Sequence, residues 1–330
     1  MKPYISVIIT EYRPRGFLKY AIRSVLNQSL NKDLYEIVLV KLRRDGSVDR
    51  LVEESGGKVL YLTEAPIGYY LYRGIQVSNG DVLVFLDDDA FVTKKLSYIY
   101  DLFSHKSNLG YYHHLAYIID SRNKVVGRLF GGPREIVLID PRNARDVRSA
   151  LLKYGVIGSL MSATAIRRGV VEPFLDKLKS LITHPDPFMF LAALNSRYLM
   201  FHEPLELSYY RVHGNQVSLP RGSESIDTLR RFAYSAVINQ HGLYYLREVF
   251  PQITDLPLRH HLLGAYHYNV LGLIVLGLDR RLVSSTGIIV LWRGFFDKSP
   301  YRVSTGLLSL AYVILPRRFI RYLLVKYYGG

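Results

Sequence analysis

The first hundred residues alternate between short apolar runs and stretches with the spacing of an amphipathic helix. Four apolar runs predict strands, at 4–10, 35–42, 56–63 and 81–86. Three segments between them predict helices, at 16–30, 48–55 and 68–80. This strand–helix alternation predicts a parallel sheet with helices on its faces, and such sheets bind ligands at the carboxyl ends of their strands.

The pattern changes beyond residue 110. Segment 127–141 predicts strands and turns, and from about residue 222 the pattern becomes helical. After residue 259, apolar stretches alternate with Arg and Lys, and none of these stretches reaches the 18 apolar residues of a confident spanning helix.

The fourth apolar run, within "GDVLVFLDDDAFV" (80–92), leads directly into Asp87, Asp88 and Asp89. Adjacent carboxylates raise the cost of ionising one another. A solvated loop is one interpretation. The other is that a divalent cation lies there and removes the repulsion, since hard cations take carboxylate oxygens.

Composition limits the partners. The formal net charge is +15 and the pI is about 9.7, which favours nucleotide phosphates, nucleic acid or an acidic membrane surface. The absence of cysteine excludes disulfides and thiolate metal sites. The N-terminus lacks a secretory pattern, which predicts a cytoplasmic location. Abundant Arg, Tyr and Ile without Cys would also suit a thermophilic or archaeal protein.

Three segments together resemble family 2 glycosyltransferases of the GT-A fold. They are "ISVIITEYRPRGFLKYAIRSVLNQSL", "GDVLVFLDDDAFV" and "YYRVHGNQVS", and the resemblance covers residues 4–218. It implies an α/β GT-A fold with a mostly parallel sheet, and an inverting enzyme that moves a sugar from a UDP-sugar or GDP-sugar to an acceptor hydroxyl in glycan or glycolipid assembly. The predicted catalytic domain spans 1–221, with a nucleotide-binding half (1–110) and an acceptor-binding half (111–221).

The resemblance also implies a metal site. Asp87 and Asp89 form a D-x-D pair that would hold Mg²⁺ or Mn²⁺ together with the donor diphosphate, and Asp88 would contact the ribose or the sugar. His213 is expected as a further metal ligand, and Arg211 as a contact to the diphosphate. A hard cation between carboxylates and phosphates would neutralise the leaving group.

The nucleotide is expected at the ends of the first two strands. The resemblance assigns nucleoside contacts to Thr10 and Tyr12, with Glu11 between them. The second strand departs from the family pattern, since "VKLRRDGS" offers either Lys41 or Asp45 as the contact to the base, and that choice stays open. Arg73 is a further candidate for the nucleotide, although it directly precedes a glycine where the family often has Ala-Arg-Asn.

Asp186, in "THPDPFMFLAAL", is expected as the general base. It stands where inverting members carry an acidic residue at a helix start, although Pro185 replaces the preceding Glu. An ordinary helix cap is the competing interpretation. Partial desolvation would raise the pKa of Asp186 toward the range that a general base needs.

Two other functions remain open from the sequence. A nucleotidyltransferase would also use acids and Mg²⁺ on an α/β sheet, but "TEYRPRG" is not a Gly-rich phosphate loop. A non-enzymatic nucleic-acid-binding protein would suit the charge and would leave Asp87 to Asp89 unexplained.

The helical region 222–330 lies outside the resemblance. Its apolar stretches with basic flanks are typical of helices that lie in an anionic membrane interface. We therefore expect a peripheral position at the inner face of the cell membrane and a glycan or lipid-linked acceptor. Packing on the catalytic domain, or a homo-oligomer formed through these helices, is the alternative.

Overall fold

The computed structural model describes residues 2–212, apart from 13, 15, 130, 131, 155 and 159, and beyond them 242, 245–246, 248–251, 288, 291–292, 300–316, 318–319 and 322. The chain divides into two compact units, Met1–Asn215 and Gln216–Gly330.

The alternation predicted for the first hundred residues is confirmed. Its elements are β1 (Ile5–Glu11), α1 (Leu18–Leu26), β2 (Tyr35–Lys41), α2 (Gly46–Glu54), β3 (Lys58–Tyr61), α3 (Ile67–Val77) and β4 (Val82–Leu86). All three helices end earlier than the pattern indicates, α2 by a single residue. Beyond the end of α1, the Gln28 side chain donates to the Ser24 and Val92 carbonyls.

The rest of the first unit adds strands to the same sheet and short helices around it. Its elements are β5 (Ala90–Phe91), α4 (Lys95–His105), β6 (Leu109–Ile119), β7 (Val125–Leu129), β8 (Val137–Ile139), α5 (Ala144–Lys153), β9 (Thr164–Arg167), α6 (Arg168–Val171), α7 (Leu175–Leu178), α8 (Pro185–Leu194) and β10 (Leu199–Arg211). The predicted strands and turns of 127–141 are confirmed by β7 and β8.

The strands form one sheet in the order β3-β2-β1-β4-β9-β6-β10-β5, with β7 paired to β6 and β8 to β10. Strands β3, β2, β1 and β4 are parallel, as predicted. Beyond β4 the sheet is mixed, because β9 runs antiparallel to both β4 and β6. The antiparallel β9 begins beside the carboxyl end of β4, so the residues that precede it lie next to Asp87–Asp89.

Helices cover both faces of the parallel half. On one face, α1 packs Ala21, Ile22 and Val25 into the main core. On the other face, Gly74 lets α3 lie close to β1, since a Cβ there would stand 2.6 Å from Ile8 Cγ2. Each fully buried aliphatic side chain contributes about 1.5–3 kcal/mol, which favours the apolar residues at all five positions of β4 and at four of the seven positions of β1.

The second unit is described only in part. Its helix α9 (Pro300–Ile314) agrees with the helical pattern predicted there. No helix within the described ranges is long and apolar enough to cross a membrane. The remaining predictions for 222–330 fall on residues outside the described ones.

Candidate active site

Three carboxylates follow β4 at the edge of the sheet where parallel strands end. The chain bends at Asp87 and Asp88, directly after β4 ends at Leu86. Asp87 is exposed, Asp88 is partly buried and Asp89 is only 4% exposed. The run therefore presents one carboxylate to solvent and holds another inside.

Asp87 is tied to the neighbouring strand. The hydroxyl of Thr10, near the end of β1, donates a hydrogen bond to Asp87 Oδ1. Thr10 is itself 5% exposed, so this hydrogen bond attaches the exposed Asp87 carboxylate to a buried residue of β1. The structure thus joins two residues that the sequence assigned to different parts of the site, the nucleoside contact and the metal ligand.

Asp89 is held by two internal donors. Ser162 Oγ donates to Asp89 Oδ2, and the backbone N–H of Arg211 donates to Oδ1 at 2.9 Å. Burial, together with the charges of Asp88 and Asp87, raises the pKa of Asp89 to about 7 against the lowering effect of these hydrogen bonds. The repulsion inferred from the sequence is therefore present in the fold.

Asp186 lies beside these carboxylates. It occupies the first turn of α8, whose N-cap His184 has a left-handed backbone, φ 64°. Burial raises the pKa of Asp186 to about 7, and the charges of Asp87 and Asp89 act in the same direction. Its carboxylate accepts hydrogen bonds from its own N–H and from that of Met161. The predicted helix start and the predicted rise of the pKa are both found.

Arg211 secures the loop that carries the three aspartates. It is 2% exposed and lies over the ring of Phe17, 4.6 Å from its centroid. Its Nε donates to the Asp88 carbonyl at 2.9 Å, and its Nη1 donates to Asn123 Oδ1 at 2.7 Å. Among the described residues, nothing accepts a hydrogen bond from its buried Nη2. These contacts give Arg211 a structural role in the loop, and its predicted contact to a diphosphate stays a prediction.

At the end of β2, Lys41 is buried in an ion-pair network. It is 1% exposed, lies 3.0 Å from Asp49 Oδ1 and 4.0 Å from Glu11 Oε2. Burial raises the pKa of Glu11, and the Lys41 charge opposes that rise. Asp49, which the sequence did not single out, also accepts from the Tyr61 hydroxyl at 2.7 Å. Lys41 is thus an internal counter-ion rather than a solvated charge at the strand end.

Asp45 and Tyr12 remain at the surface of this edge. Asp45 is exposed and caps α2 by accepting from the N–H groups of Ser47 and Val48. Tyr12 is partly buried and packs edge-on against Tyr70, with ring centroids 5.6 Å apart. Of the two residues that the sequence offered for the base, Asp45 is therefore the one that solvent reaches.

Arg73 lies on α3 and is partly buried. Its Nε is buried and has no hydrogen-bond partner in the described structure. A guanidinium nitrogen in that state is costly unless a ligand or water satisfies it. The predicted role of Arg73 toward the nucleotide stays a prediction, and this unsatisfied nitrogen supports it.

Comparison with known sequences decides the family. The sequence model described as "Glycosyl transferase family 2" matches residues 6–172, half of the chain. The chain belongs to glycosyl transferase family 2. The matched region of this family 2 chain runs from β1 to α6 and contains the three aspartates, whereas Asp186 and Arg211 follow it.

A curated relative is the uncharacterized glycosyltransferase alr2836 of Nostoc sp. It is 31% identical over an alignment of 224 residues, and the match covers 64% of this family 2 chain and 65% of the relative. The chain therefore spans slightly less than two thirds of that relative's length.

Solved structures establish the fold. The crystal structure of S. aureus TarS 1–349 is 14% identical with a TM-score of 0.51, over 94% of this chain and 90% of that one. The same protein in complex with UDP-GlcNAc gives 14% identity and a TM-score of 0.50, over 94% and 91%. With the mixed sheet described above, these similarities confirm the predicted GT-A fold of this family 2 chain.

The predicted metal site can be tested against its donors. Within the described part of the chain, no group of three or more His, Cys, Asp and Glu side chains is placed to hold a metal ion, and His213 lies outside the described residues. Mg²⁺ is commonly held by only one or two carboxylates together with substrate phosphates. Asp87 and Asp89 fit that kind of site, because each oxygen of Asp89 retains a lone pair beyond its one hydrogen bond.

Proposed function

We propose that this family 2 chain is an inverting, metal-dependent glycosyltransferase that moves a sugar from a nucleotide-diphosphate sugar to an acceptor hydroxyl. The observation that carries the proposal is Asp186, a partly buried carboxylate beside Asp87 and Asp89 with a pKa raised to about 7. A general base works best when its pKa lies near the working pH. Family membership and the GT-A fold favour this function over the nucleotidyltransferase and the nucleic-acid-binding protein.

The roles follow from position. Asp186 accepts the proton of the acceptor hydroxyl as that oxygen attacks the anomeric carbon, and the Met161 N–H holds the carboxylate in place. Asp87 and Asp89 would hold Mg²⁺ or Mn²⁺, which when bound neutralises the leaving diphosphate. Attack from the side opposite the leaving group inverts the anomeric configuration.

The donor site is assigned to the ends of β1 and β2. Asp45 and Tyr12 reach the surface there, and Arg73 has an unsatisfied nitrogen. The TarS structure with UDP-GlcNAc makes UDP-sugars the first donors to test, with GDP-sugars second. The net charge of +15 would assist capture of such anions.

The tail supplies a proposal about the acceptor. The described part of the second unit exposes several large apolar side chains, at Ile288, Trp292, Leu307, Ile314, Phe319 and Tyr322. Ile314, at the end of α9, is 82% exposed. An anionic membrane surface fits exposed apolar groups with basic neighbours. We accordingly assign residues 1–221 to catalysis, residues 222–330 to peripheral attachment at the inner face of the cell membrane, and a glycan or lipid-linked molecule to the acceptor.

The test is a thermal-shift screen of UDP-sugars and GDP-sugars with and without Mn²⁺. Only ligands of the folded state raise the melting temperature, and a ligand at 100 times its Kd adds about 2.7 kcal/mol. We expect a shift that requires both the nucleotide-sugar and Mn²⁺, and that Asp87→Ala removes. Shifts that are absent for every donor, or unchanged in Asp87→Ala, would contradict the proposal.

A further inference from the structure

One short segment touches both halves of the proposed catalytic site. The 161–163 turn, a single 3-10 turn formed by Met161–Ala163, comes immediately before β9. The Ser162 hydroxyl in this turn donates to Asp89, and the Met161 N–H donates to the carboxylate of Asp186. The relative position of the metal-site carboxylate and the base therefore depends on how firmly this turn is held.

Lys95 holds the 161–163 turn through a hydrogen bond to its backbone. This residue is the first of α4 and is 0% exposed. Its Nζ donates to the Ser162 carbonyl, donates to Ser208 Oγ at 3.1 Å, and lies 3.7 Å from the centroid of the Phe91 ring. The Ser208 hydroxyl donates to the same Ser162 carbonyl. The backbone of the turn is thus fixed by two donors, one of which is an amine.

The fully buried position of the Lys95 amine requires an explanation. Burial lowers the pKa of Lys95 well below its usual value, and the nearby charge of Asp89 acts in the opposite direction. Burying an ionisable amine is costly, and replacing it with an apolar side chain of similar volume is often neutral or stabilising. Stability alone therefore does not account for Lys95. No step of the proposed reaction uses it directly.

We propose that Lys95 is a positioning residue for sugar transfer, which through the 161–163 turn fixes the distance between Asp89 and Asp186. The proposal rests on the proposed function, since it explains how Asp89 and Asp186 are kept at a fixed distance from each other. It assigns to Lys95 no contact with the donor, the metal or the acceptor.

The test compares Lys95→Met, which keeps the volume of the side chain and removes the amine, with Leu96→Ala as a matched control. Leu96 is also 0% exposed and follows Lys95 in the same helix. Since a displacement of about 1 Å in a catalytic group can cost about 100-fold in rate, we expect kcat of Lys95→Met to fall by that order, with the donor KM within about threefold. Leu96→Ala should lower the melting temperature and keep kcat.

Ser162→Ala supplies a second variant, because it removes the hydroxyl that reaches Asp89 and keeps the carbonyl that Lys95 binds. If both residues act through one turn, the double variant should lose less activity than the product of the two single losses. Fully multiplicative losses would overturn the proposal. So would a kcat that falls equally in Lys95→Met and Leu96→Ala.

Hydrogen exchange gives a measurement that does not depend on activity. Loss of the amine in Lys95→Met should speed amide exchange in a peptide that contains residues 161–163. In Leu96→Ala, amide exchange should increase more in α4 than in that peptide. Unchanged exchange in Lys95→Met would refute the positioning role. Absence of sugar transfer by the wild-type enzyme would instead refute the proposed function, so the two failures are distinguished.

Discussion

Replacing Asp186 with asparagine removes a carboxylate that the fold keeps protonated up to about pH 7. In the unfolded chain the pKa of the same group lies near the ordinary value for aspartate, 3.8. Between these values the unfolded state has released a proton that the folded state still binds, so the stability of the wild-type protein falls as the pH rises through this window. An asparagine never ionises and escapes this loss.

The size of the effect follows from the two pKa values. A difference from 3.8 to about 7 corresponds to an upper limit of about 4 kcal/mol above pH 7. It is an upper limit because Asp87 and Asp89 share the repulsion that raises the pKa. Asp186→Asn should therefore be more stable than the wild type at pH 8, in the absence of metal and nucleotide. At pH 4 the two proteins should be nearly equal.

The same variant should lose activity. Removal of a general base costs about 10²- to 10⁴-fold in rate, so we expect kcat to fall within that range while the affinity for the donor stays nearly constant. The assays are urea unfolding at pH 4 and pH 8, and release of the nucleoside diphosphate. The control is Asp146→Asn, which changes an exposed acid in the first turn of α5.

Two results would refute this reasoning. A stability change that is the same at both pH values would show that Asp186 ionises normally in the folded protein. A variant that loses donor affinity in step with kcat would show that Asp186 is a donor ligand or a helix cap rather than the base.

Three other predictions can be checked separately. Asp87→Ala should abolish sugar transfer. Without metal its melting temperature should be unchanged or higher, because the substitution relieves the repulsion among the neighbouring carboxylates. Near-normal turnover of the variant, or a wild-type activity that EDTA does not affect, would contradict the metal site. His113, His114 and His202 have pKa values lowered chiefly by burial, so at these groups the folded state binds fewer protons than the unfolded state below about pH 6.5, the opposite sign to Asp186 and Asp89. Comparison of the wild type with His114→Gln isolates this contribution: the stability that the variant loses relative to the wild type should be larger at about pH 7 than at about pH 5, and a loss that is the same at both pH values would contradict it. The 330-residue chain should sediment with phosphatidylserine vesicles at low salt and much less at high salt, since each basic residue near the membrane surface adds about 1 kcal/mol of binding free energy. A chain that ends near Leu256 should not sediment with these vesicles. Equal binding by both chains would contradict the proposal that the tail is the membrane anchor.

The sequence was sufficient where a local pattern determines the structure. The apolar runs of β1 to β4 and the carboxylates that follow β4 could be located because both signals are contiguous in the chain. Asp186 was placed at a helix start by the family resemblance, and the rise of its pKa was expected from partial desolvation, which is the largest cause in the structure. The added effect of Asp87 and Asp89, a contact across about a hundred residues, could not be predicted from the local pattern.

The sequence was insufficient where a side chain is used by a distant part of the fold. Lys95 stands next to another lysine and is typical of a solvated pair, yet its partner Ser162 lies 67 positions away. The sequence did not show that Lys41, at the end of β2, pairs with Asp49 inside the fold. Nor did it show that Arg211 binds the backbone of the loop that carries the aspartates. Their predicted contacts to the nucleotide stay predictions.

The central claim is tested most directly by following a nucleotide-sugar with this chain and Mn²⁺ in real time by proton NMR. The donor should be the one that gives the largest thermal shift, and the acceptor a membrane lipid extract or, by default, water. The account predicts that the donor is consumed, that the first sugar product has the opposite anomeric configuration, and that EDTA or Asp186→Asn stops the reaction. A product of retained configuration, or consumption that continues unchanged in Asp186→Asn, would contradict it.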